Sequence, residues 1–235
     1  MWWFAAIHAN LVMLYRRASA TAAASERILD AGCGTGGFLA ALARRMPERE
    51  VIGLDADETA CRWAGEKSDR PVCAGSVSAL PFVDDAFGAI FSVDVLCHRD
   101  VDEARALRQF HRCLSAGGLL ILNLPAYRWL MSRHDAAVYN ARRYTRRDVV
   151  RLLRDAGFRP IFATYWNMIL FPVMVATRKL LPASSGSDVK LQPRPVEAVC
   201  RAATSLERGL MRAGLCFPFG GSVLAVAAKA ESVHV

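Results

Sequence analysis

Through the first half of the chain, short runs of continuous apolar residues alternate with stretches in which apolar positions recur every three or four residues. Ile28–Asp30, Val51–Asp55, Pro71–Ala74, Ala86–Val93 and Gly118–Asn123 read as strands. Residues 37–46, Glu58–Lys67 and Val101–Leu114 read as the helices between them. Strands that are apolar along their whole length and linked by helices belong to a parallel sheet covered on both faces. Further on, Thr145–Ala156 is an amphipathic helix with Thr145 as its N-cap and Gly157 as its stop. Phe158–Trp166 and Ser222–Lys229 are the last two strands, and they suit an antiparallel pair at the sheet edge that encloses an insertion. The pattern therefore predicts a doubly wound α/β sheet, mostly parallel, with an antiparallel last strand and a helical lid insertion.

Two segments lie outside this alternation. Asn167–Gly221 is poorly regular, with Pro172, Pro182, Pro193, Pro195 and Pro218 and the linker-like Ala183–Ser187. Its apolar start, Asn167–Ala176, is borderline in length for a bilayer span and is interrupted by Asn167 and Pro172. We read it as a buried helix of an inserted lid, with membrane-surface contact as the alternative. The opening run from Met1 to Arg17 resembles a signal peptide, but no basic region precedes its apolar part and His8 and Asn10 interrupt it. Arg16 and Arg17 after it also suit a membrane-surface helix. The preferred reading is a helix over the ligand mouth. The expected organisation is an N-terminal lid helix over 1–25, a core over 26–166 and 222–235, and an inserted lid over 167–221.

Composition narrows the setting. The 235 residues suit one domain with an elaborated periphery. Hydrophobic residues make up 53%, and the net charge of +8 permits an anionic partner without requiring one. The seven cysteines are scattered and contain no C-x-x-C, which fits reduced thiols in a cytosol better than disulfides or a zinc site. The expected setting is cytoplasmic, with membrane association open. No metal is expected, and the oligomeric state is left as monomer or homodimer.

The chemistry concentrates in Asp30-Ala31-Gly32-Cys33-Gly34-Thr35-Gly36-Gly37, between a strand and a helix. Glycine admits unusual backbone angles and lets a ligand touch the main chain, and the following helix aims unpaired N–H groups at that ligand. Gly32, Gly34 and Gly37 satisfy the dinucleotide fingerprint of a Rossmann-like sheet, and Asp55 stands where ribose hydroxyls would be bound, so NAD is a live candidate. Asp30 argues otherwise. A carboxylate there repels a pyrophosphate and suits a cationic group such as an amino-acid ammonium. Asp94, just past the fourth strand, is a second acidic residue at the same end of the sheet.

Asp30–Gly36 resembles the D-x-G-x-G-x-G motif of class I S-adenosylmethionine-dependent methyltransferases. Val51–Asp57, Ala79–Phe82, Ser92–His98 and Leu114–Gly118 resemble four further motifs of that family in the same order, over roughly residues 26 to 125. Arg142–Arg146 and Asp155–Phe158 resemble bacterial members acting on small molecules. The resemblance implies S-adenosylmethionine as cofactor, with Asp30 and the backbone of Gly32, Gly34 and Gly36 at its methionine portion. It further implies Asp55 on the ribose, Ala56 and Asp57 bordering the adenine, Ser76 and Val77 meeting that ring, and Asp94 at the mouth. The family often carries Asp where this chain has Ser76. Gly36 also has a purely structural reading, helix–sheet packing, and Asp57 another, a helix N-cap.

Methyl transfer needs the acceptor in line and water excluded, and a base only where the acceptor loses a proton. His98, His134 and Tyr139 are the candidates for that role, since an imidazole titrates near neutrality. Arg142, Arg143, Arg146 and Arg147 form the strongest basic cluster, either a solvated helix start or an anionic-substrate contact. Asn123–Tyr127 echoes an N-P-P-Y motif but follows the fifth strand rather than the fourth. The leading expectation is a methyltransferase with a small, largely apolar acceptor and no nucleic-acid partner. An RNA methyltransferase, an NAD-dependent oxidoreductase and a cofactor-binding interaction module are the alternatives.

Overall fold

A computed structural model describes residues 1–19, 26–132, 135, 138–180 and 193–230. His134 and the Ala183–Ser187 stretch lie outside the described residues. The strands are β1 (Arg27–Ala31), β2 (Glu50–Asp55), β3 (Val72–Ala74), β4 (Phe87–Val93), β5 (Leu114–Pro125), β6 (Phe158–Trp166) and β7 (Ser222–Lys229). They form one sheet in the order β3-β2-β1-β4-β5-β7-β6. All neighbours pair in parallel except β7, which runs antiparallel to both β5 and β6. The chain winds outward from β1 in both directions, so the order reverses between β1 and β4. In open α/β sheets the crevice beyond the carboxyl ends of such a pair is where ligands bind.

The helices are α1 (Trp2–Ser19), α2 (Gly37–Arg45), α3 (Glu58–Ser68), α4 (Glu103–Cys113), α5 (Arg146–Asp155), α6 (Phe171–Leu180) and α7 (Arg194–Arg212). Local chemistry sets several of their ends. Asp57 caps α3, its carboxylate accepting from Thr59 N at 2.7 Å and Ala60 N at 3.2 Å. Thr145 and Asp148 form a reciprocal capping box on α5, with Asp148 N donating to Thr145 Oγ1 at 3.2 Å and Thr145 N donating to Asp148 Oδ2 at 2.9 Å. Thr145→Ala is expected to lower stability by about 1 kcal/mol, read from urea unfolding. Gly157, at φ +84°, stops the helix just past its end.

Three expectations about elements change. β5 begins at Leu114, ahead of Gly118, because Leu114 pairs with Phe87 before a register shift that contains Gly117 at φ +70°. The segment read as poorly regular contains α7, a helix of 19 residues. Pro193 and Pro195 sit at its N-cap and first turn, where proline is tolerated because the N–H has no helical partner. The apolar start of the same segment is not a buried helix. α6 begins only at Phe171, and Ile169 and Val173 are 41% and 62% exposed. Asn167 to Leu170 form the turn before it, tied down by Glu207 of α7, whose carboxylate accepts from Asn167 N at 2.7 Å and Ile169 N at 2.6 Å.

α1 lies along the sheet against β5 and β7 and beside α7. Tyr15 meets Phe91 of β4, and Arg17 Nη1 donates to Met211 O at 2.8 Å near the far end of α7. The first two turns reach the carboxyl ends of the strands, where Trp3 stacks on Trp166 at 4.6 Å, Trp2 N donates to Glu197 at 3.1 Å and His8 packs on Phe38 of α2 at 5.0 Å. Among the described residues no helix is long and apolar enough to cross a membrane.

Candidate cofactor cleft

The turn after β1 is built from the backbone. Gly32 N and Cys33 N both donate to Leu54 O of β2, at 2.7 and 2.9 Å, which draws the turn against the neighbouring strand. Gly32, Gly34 and Gly36 all have positive φ (+83°, +52° and +77°), a region costly for other residues. Their surroundings differ. A Cβ on Gly32 would collide with Val95, and one on Gly36 would stand 2.6 Å from Ala64 Cα of α3. A Cβ on Gly34 would meet nothing within 4 Å. Gly34 thus borders open space, whereas Gly36 closes the contact between α2 and α3, and its N–H is already engaged with Cys33 O at 3.0 Å.

Asp55 ends β2 directly beside this turn. Its Oδ2 accepts from Gly34 N at 2.8 Å and its Oδ1 from Asp57 N at 3.0 Å. Backbone amides therefore fix both oxygens while each keeps a lone pair for a further donor. Ala56 is exposed next to it, and Gly75 N donates to Asp55 O at 2.8 Å, which brings the segment after β3 alongside. In that segment Val77 is buried and Ser76 is exposed, its Oγ accepting from Ser78 N at 3.2 Å.

Two carboxylates face the inner end of the cleft. Asp30 is 1% exposed, and its Oδ2 is buried without a hydrogen-bond partner. Burial, and then the Asp55 charge, push its carboxyl up to about 8. Asp94 follows β4 with φ +56°, and its Oδ1 accepts from Asn123 Nδ2 at 2.8 Å. Burial pushes it up to about 7, against the pull of the Asn123 donor and the Arg143 charge. Asp30, Gly32, Gly34, Asp55 and Asp94 therefore lie at the carboxyl ends of β1, β2 and β4, with Ala56 next to Asp55 and Ser76 and Val77 on the segment after β3.

The remaining predicted residues divide. His98 is half-buried and faces the 139–140 segment through a bridge between His98 and Asn140. Tyr139 lies next to it with φ +57° and is 62% exposed, so its hydroxyl is at the surface. The arginine cluster is neither a solvated helix start nor one contact surface. Arg143 is buried in a bidentate ion pair with Asp135, at 3.0 Å on both arms, and Nη1 donates to Ala126 O at 2.9 Å. Asp135, beside His134 in the sequence, is spent on that pair, which holds its carboxyl below the usual range against the opposing effect of burial. Arg142 donates to Leu96 O and His98 O, at 3.1 and 2.7 Å, and pairs with Glu103. These two side chains brace the loops around the crevice, and only Arg146 and Arg147 stay exposed.

An aromatic wall went unread in the sequence. The Tyr127 ring stacks between Trp129 at 5.8 Å and Tyr165 at 5.1 Å. Phe171 of α6 contacts Tyr127 and Trp129, and Phe219 closes on Phe171. No local pattern joins residues from four separate segments. Asn123 did carry a signal, as a polar residue in an otherwise apolar strand.

A family model described as "Methyltransferase domain" matches residues 29–122. A Mycobacterium tuberculosis protein named as a probable S-adenosylmethionine-dependent methyltransferase is 29% identical over 152 residues, 62% of this chain and 53% of the relative. Residues 29–122 of the chain form a methyltransferase domain. The malonyl-[acyl-carrier protein] O-methyltransferase of Legionella pneumophila is 29% identical to it over 112 residues, 46% of this chain and 39% of that protein. The chain spans about half the length of the curated relatives it matches. Among solved structures, the geranyl diphosphate C-methyltransferase of Streptomyces coelicolor superposes with a TM-score of 0.59 at 16% identity, covering 93% of this chain and 77% of that one. A methyltransferase in complex with the Haloferax volcanii Trm112 activator gives 0.61 at 16% identity, covering 99% and 95%. At these identities the likeness is one of fold. The orphaned Asp30 oxygen and the open glycine turn fit the cationic amino-acid end of S-adenosylmethionine, the cofactor for which the Mycobacterium tuberculosis relative is named.

Proposed function

We propose that this chain transfers a methyl group from S-adenosylmethionine to a small, largely apolar acceptor. The observation that carries the acceptor class is the aromatic wall of Tyr127, Trp129, Tyr165, Phe171 and Phe219. Ligand sites for small molecules are mostly apolar with a few placed polar groups, and the matching relatives include proteins named for a geranyl diphosphate and a malonyl-carrier acceptor.

The cofactor, when bound, supplies a methyl group already activated on a sulfonium. The chain's residues position and enclose. Asp55 takes the ribose hydroxyls on oxygens that Gly34 and Asp57 hold in place. Asp30 and the backbone of Gly32 and Gly34 hold the methionine portion, while Ala56, Ser76 and Val77 frame the adenine. The first turn of α1 and the start of α6 act as the lid that excludes water. A base is needed only for an acceptor that gives up a proton, and His98 is the imidazole at the rim that meets that need.

Asp55→Ala is expected to weaken S-adenosylhomocysteine binding by about 1–3 kcal/mol in calorimetry, since a charge-assisted pair is lost and the Gly34 amide loses its anchor. Unchanged affinity rules out the ribose role. A second reading, an RNA acceptor, is favoured by one observation. Arg146, Arg147, Arg151 and Arg154 of α5 line an open groove of about 570 Å³. That groove lies by the edge strand β6, away from β1 and its glycine turn. Methyl transfer from labelled cofactor to prenyl diphosphates, fatty acids and quinols, with bulk RNA in parallel, tests both. Label in RNA alone overturns the apolar acceptor.

A further inference from the structure

A chain of polar contacts crosses the buried carboxyl end of the sheet, where the fold itself asks for apolar residues. Asn123 of β5 is fully buried. Its Nδ2 donates to Asp94 Oδ1 at 2.8 Å, and its Oδ1 accepts from Trp166 Nε1 at 2.8 Å. Trp166, also fully buried, is covered by the Trp3 ring of α1 at 4.6 Å. An indole N–H can only donate, so it fixes the polarity of the Asn123 amide. The NH₂ end is thereby turned to Asp94, where it favours the ionised carboxylate. The backbone of Asp94 is held at the same point. Its N–H donates to Asn123 O at 2.9 Å, its φ of +56° is costly for aspartate, and the next residue, Val95, packs against Gly32 of the cofactor turn.

We propose that Trp166, acting through Asn123, is a positioning residue that favours the ionised form of Asp94 and directs it at the sulfonium end of the cofactor, so that the chain holds charged S-adenosylmethionine in preference to its neutral thioether product. The proposal rests on the cofactor reading above. S-adenosylmethionine and S-adenosylhomocysteine share the adenosine, the ammonium and the carboxylate, and differ in one methyl group and its positive charge. A carboxylate close to the sulfur is therefore sensed by one and not by the other. Opposite charges within roughly 4–6 Å shift a carboxyl by about one unit or more, so the preference changes about tenfold between neutral and ionised Asp94.

The charged and titratable groups around Asp94 are few. Arg143, from the loop before α5, pulls its carboxyl down and is itself neutralised by Asp135. The Cys97 thiol lies against Asp94 O and is pushed far up by burial, so it stays neutral. Asp30 at the end of β1 titrates in the same window, but it is assigned to the ammonium common to both ligands and cancels from their ratio.

The experiment measures dissociation constants for S-adenosylmethionine and S-adenosylhomocysteine by calorimetry on the full chain, from about pH 6 to about pH 8.5. In the parent the preference for the charged ligand rises about tenfold across that range. Asp94→Asn gives a low, flat ratio. Trp166→Phe keeps the ring but frees the amide to turn its oxygen to Asp94, which moves the rise to higher pH. Asn123→Ala, which removes the donor, moves it the same way and stands in if Trp166→Phe does not fold. A flat ratio in the parent overturns the role of Asp94. A parental midpoint in both variants overturns the positioning role of Trp166. If the parent binds neither ligand at any pH, the cofactor reading itself falls.

Discussion

Asp30→Asn is expected to make the ligand-free chain more stable at alkaline pH and to weaken its hold on the cofactor. Asp30 is 1% exposed, one of its oxygens has no partner, and its carboxyl is pushed up to about 8 by burial and then by Asp55. In the unfolded chain an aspartate titrates near about 4. Between those values the folded state keeps a proton that the unfolded state has released. The stability contributed by the neutral carboxyl is therefore complete below about pH 4 and is lost as pH rises through about 8. Asparagine does not ionise, so its variant lacks that slope and gains a few kcal/mol over the parent at about pH 9. What slope remains comes from other shifted groups, among them Asp94, held up to about 7, and Glu207, raised by burial. S-adenosylhomocysteine takes back part of that gain, because the variant has no carboxylate to meet the ammonium and loses about 1–3 kcal/mol of affinity. Urea unfolding across pH, with and without the ligand, checks both halves. Parallel stability curves for parent and variant dispose of the first, and equal ligand affinity disposes of the second.

The trade explains how this end of the sheet is built. A buried carboxylate oxygen without a partner, as in Asp30, is a liability in the free protein, and a second carboxylate, that of Asp94, stands nearby on the Asn123 amide. Strain collects at the same place, in the positive φ of Asp94. Features that each weaken the fold converge on the crevice after β1 and β4, as expected where a ligand completes the site.

Much of this was legible in local pattern. β6 and β7 begin and end where the apolar runs do, at Phe158, Trp166, Ser222 and Lys229. Asp57 and Thr145 declared their helices because a capping oxygen acts within three residues of itself. The cleft residues were legible because each ends a strand of one doubly wound sheet, and topology alone brings strand ends together. What stayed hidden depended on partners far along the chain. Arg143 and Asp135 look like solvent-facing charges until they are folded against each other. α7 was masked by prolines that break a helix anywhere but its first turn. Trp166 reads as an ordinary strand aromatic, since nothing near it in sequence points to Asn123, 43 residues earlier.

Gly36→Val is expected to cost more stability than any other single change in the glycine turn that leaves Gly32 intact. Gly36 sits at φ +77°, and its Cβ would stand 2.6 Å from Ala64 Cα, 2.9 Å from Ala64 Cβ and 3.0 Å from Ala64 O. Two of those three atoms are helix backbone, which cannot rotate aside, so α2 must lift from α3. Left-handed strain costs about 1–2 kcal/mol, and forced repacking adds about 1–3 kcal/mol. The sum of roughly 2–5 kcal/mol is a large part of the total for a domain of ordinary stability. Gly34→Ala separates the two causes. Its φ is also positive, at +52°, but nothing lies within 4 Å of the new methyl, so only the strain of about 1 kcal/mol applies. Adding Ala64→Gly to Gly36→Val removes one of the three clashes and leaves the backbone overlap, so rescue is partial. Urea unfolding of the four proteins orders them as parent, Gly34→Ala, the double variant and Gly36→Val. If Gly36→Val unfolds within about 0.5 kcal/mol of Gly34→Ala, the α2–α3 contact does not need a glycine at this position, and Gly36 returns to the set of residues that serve the ligand.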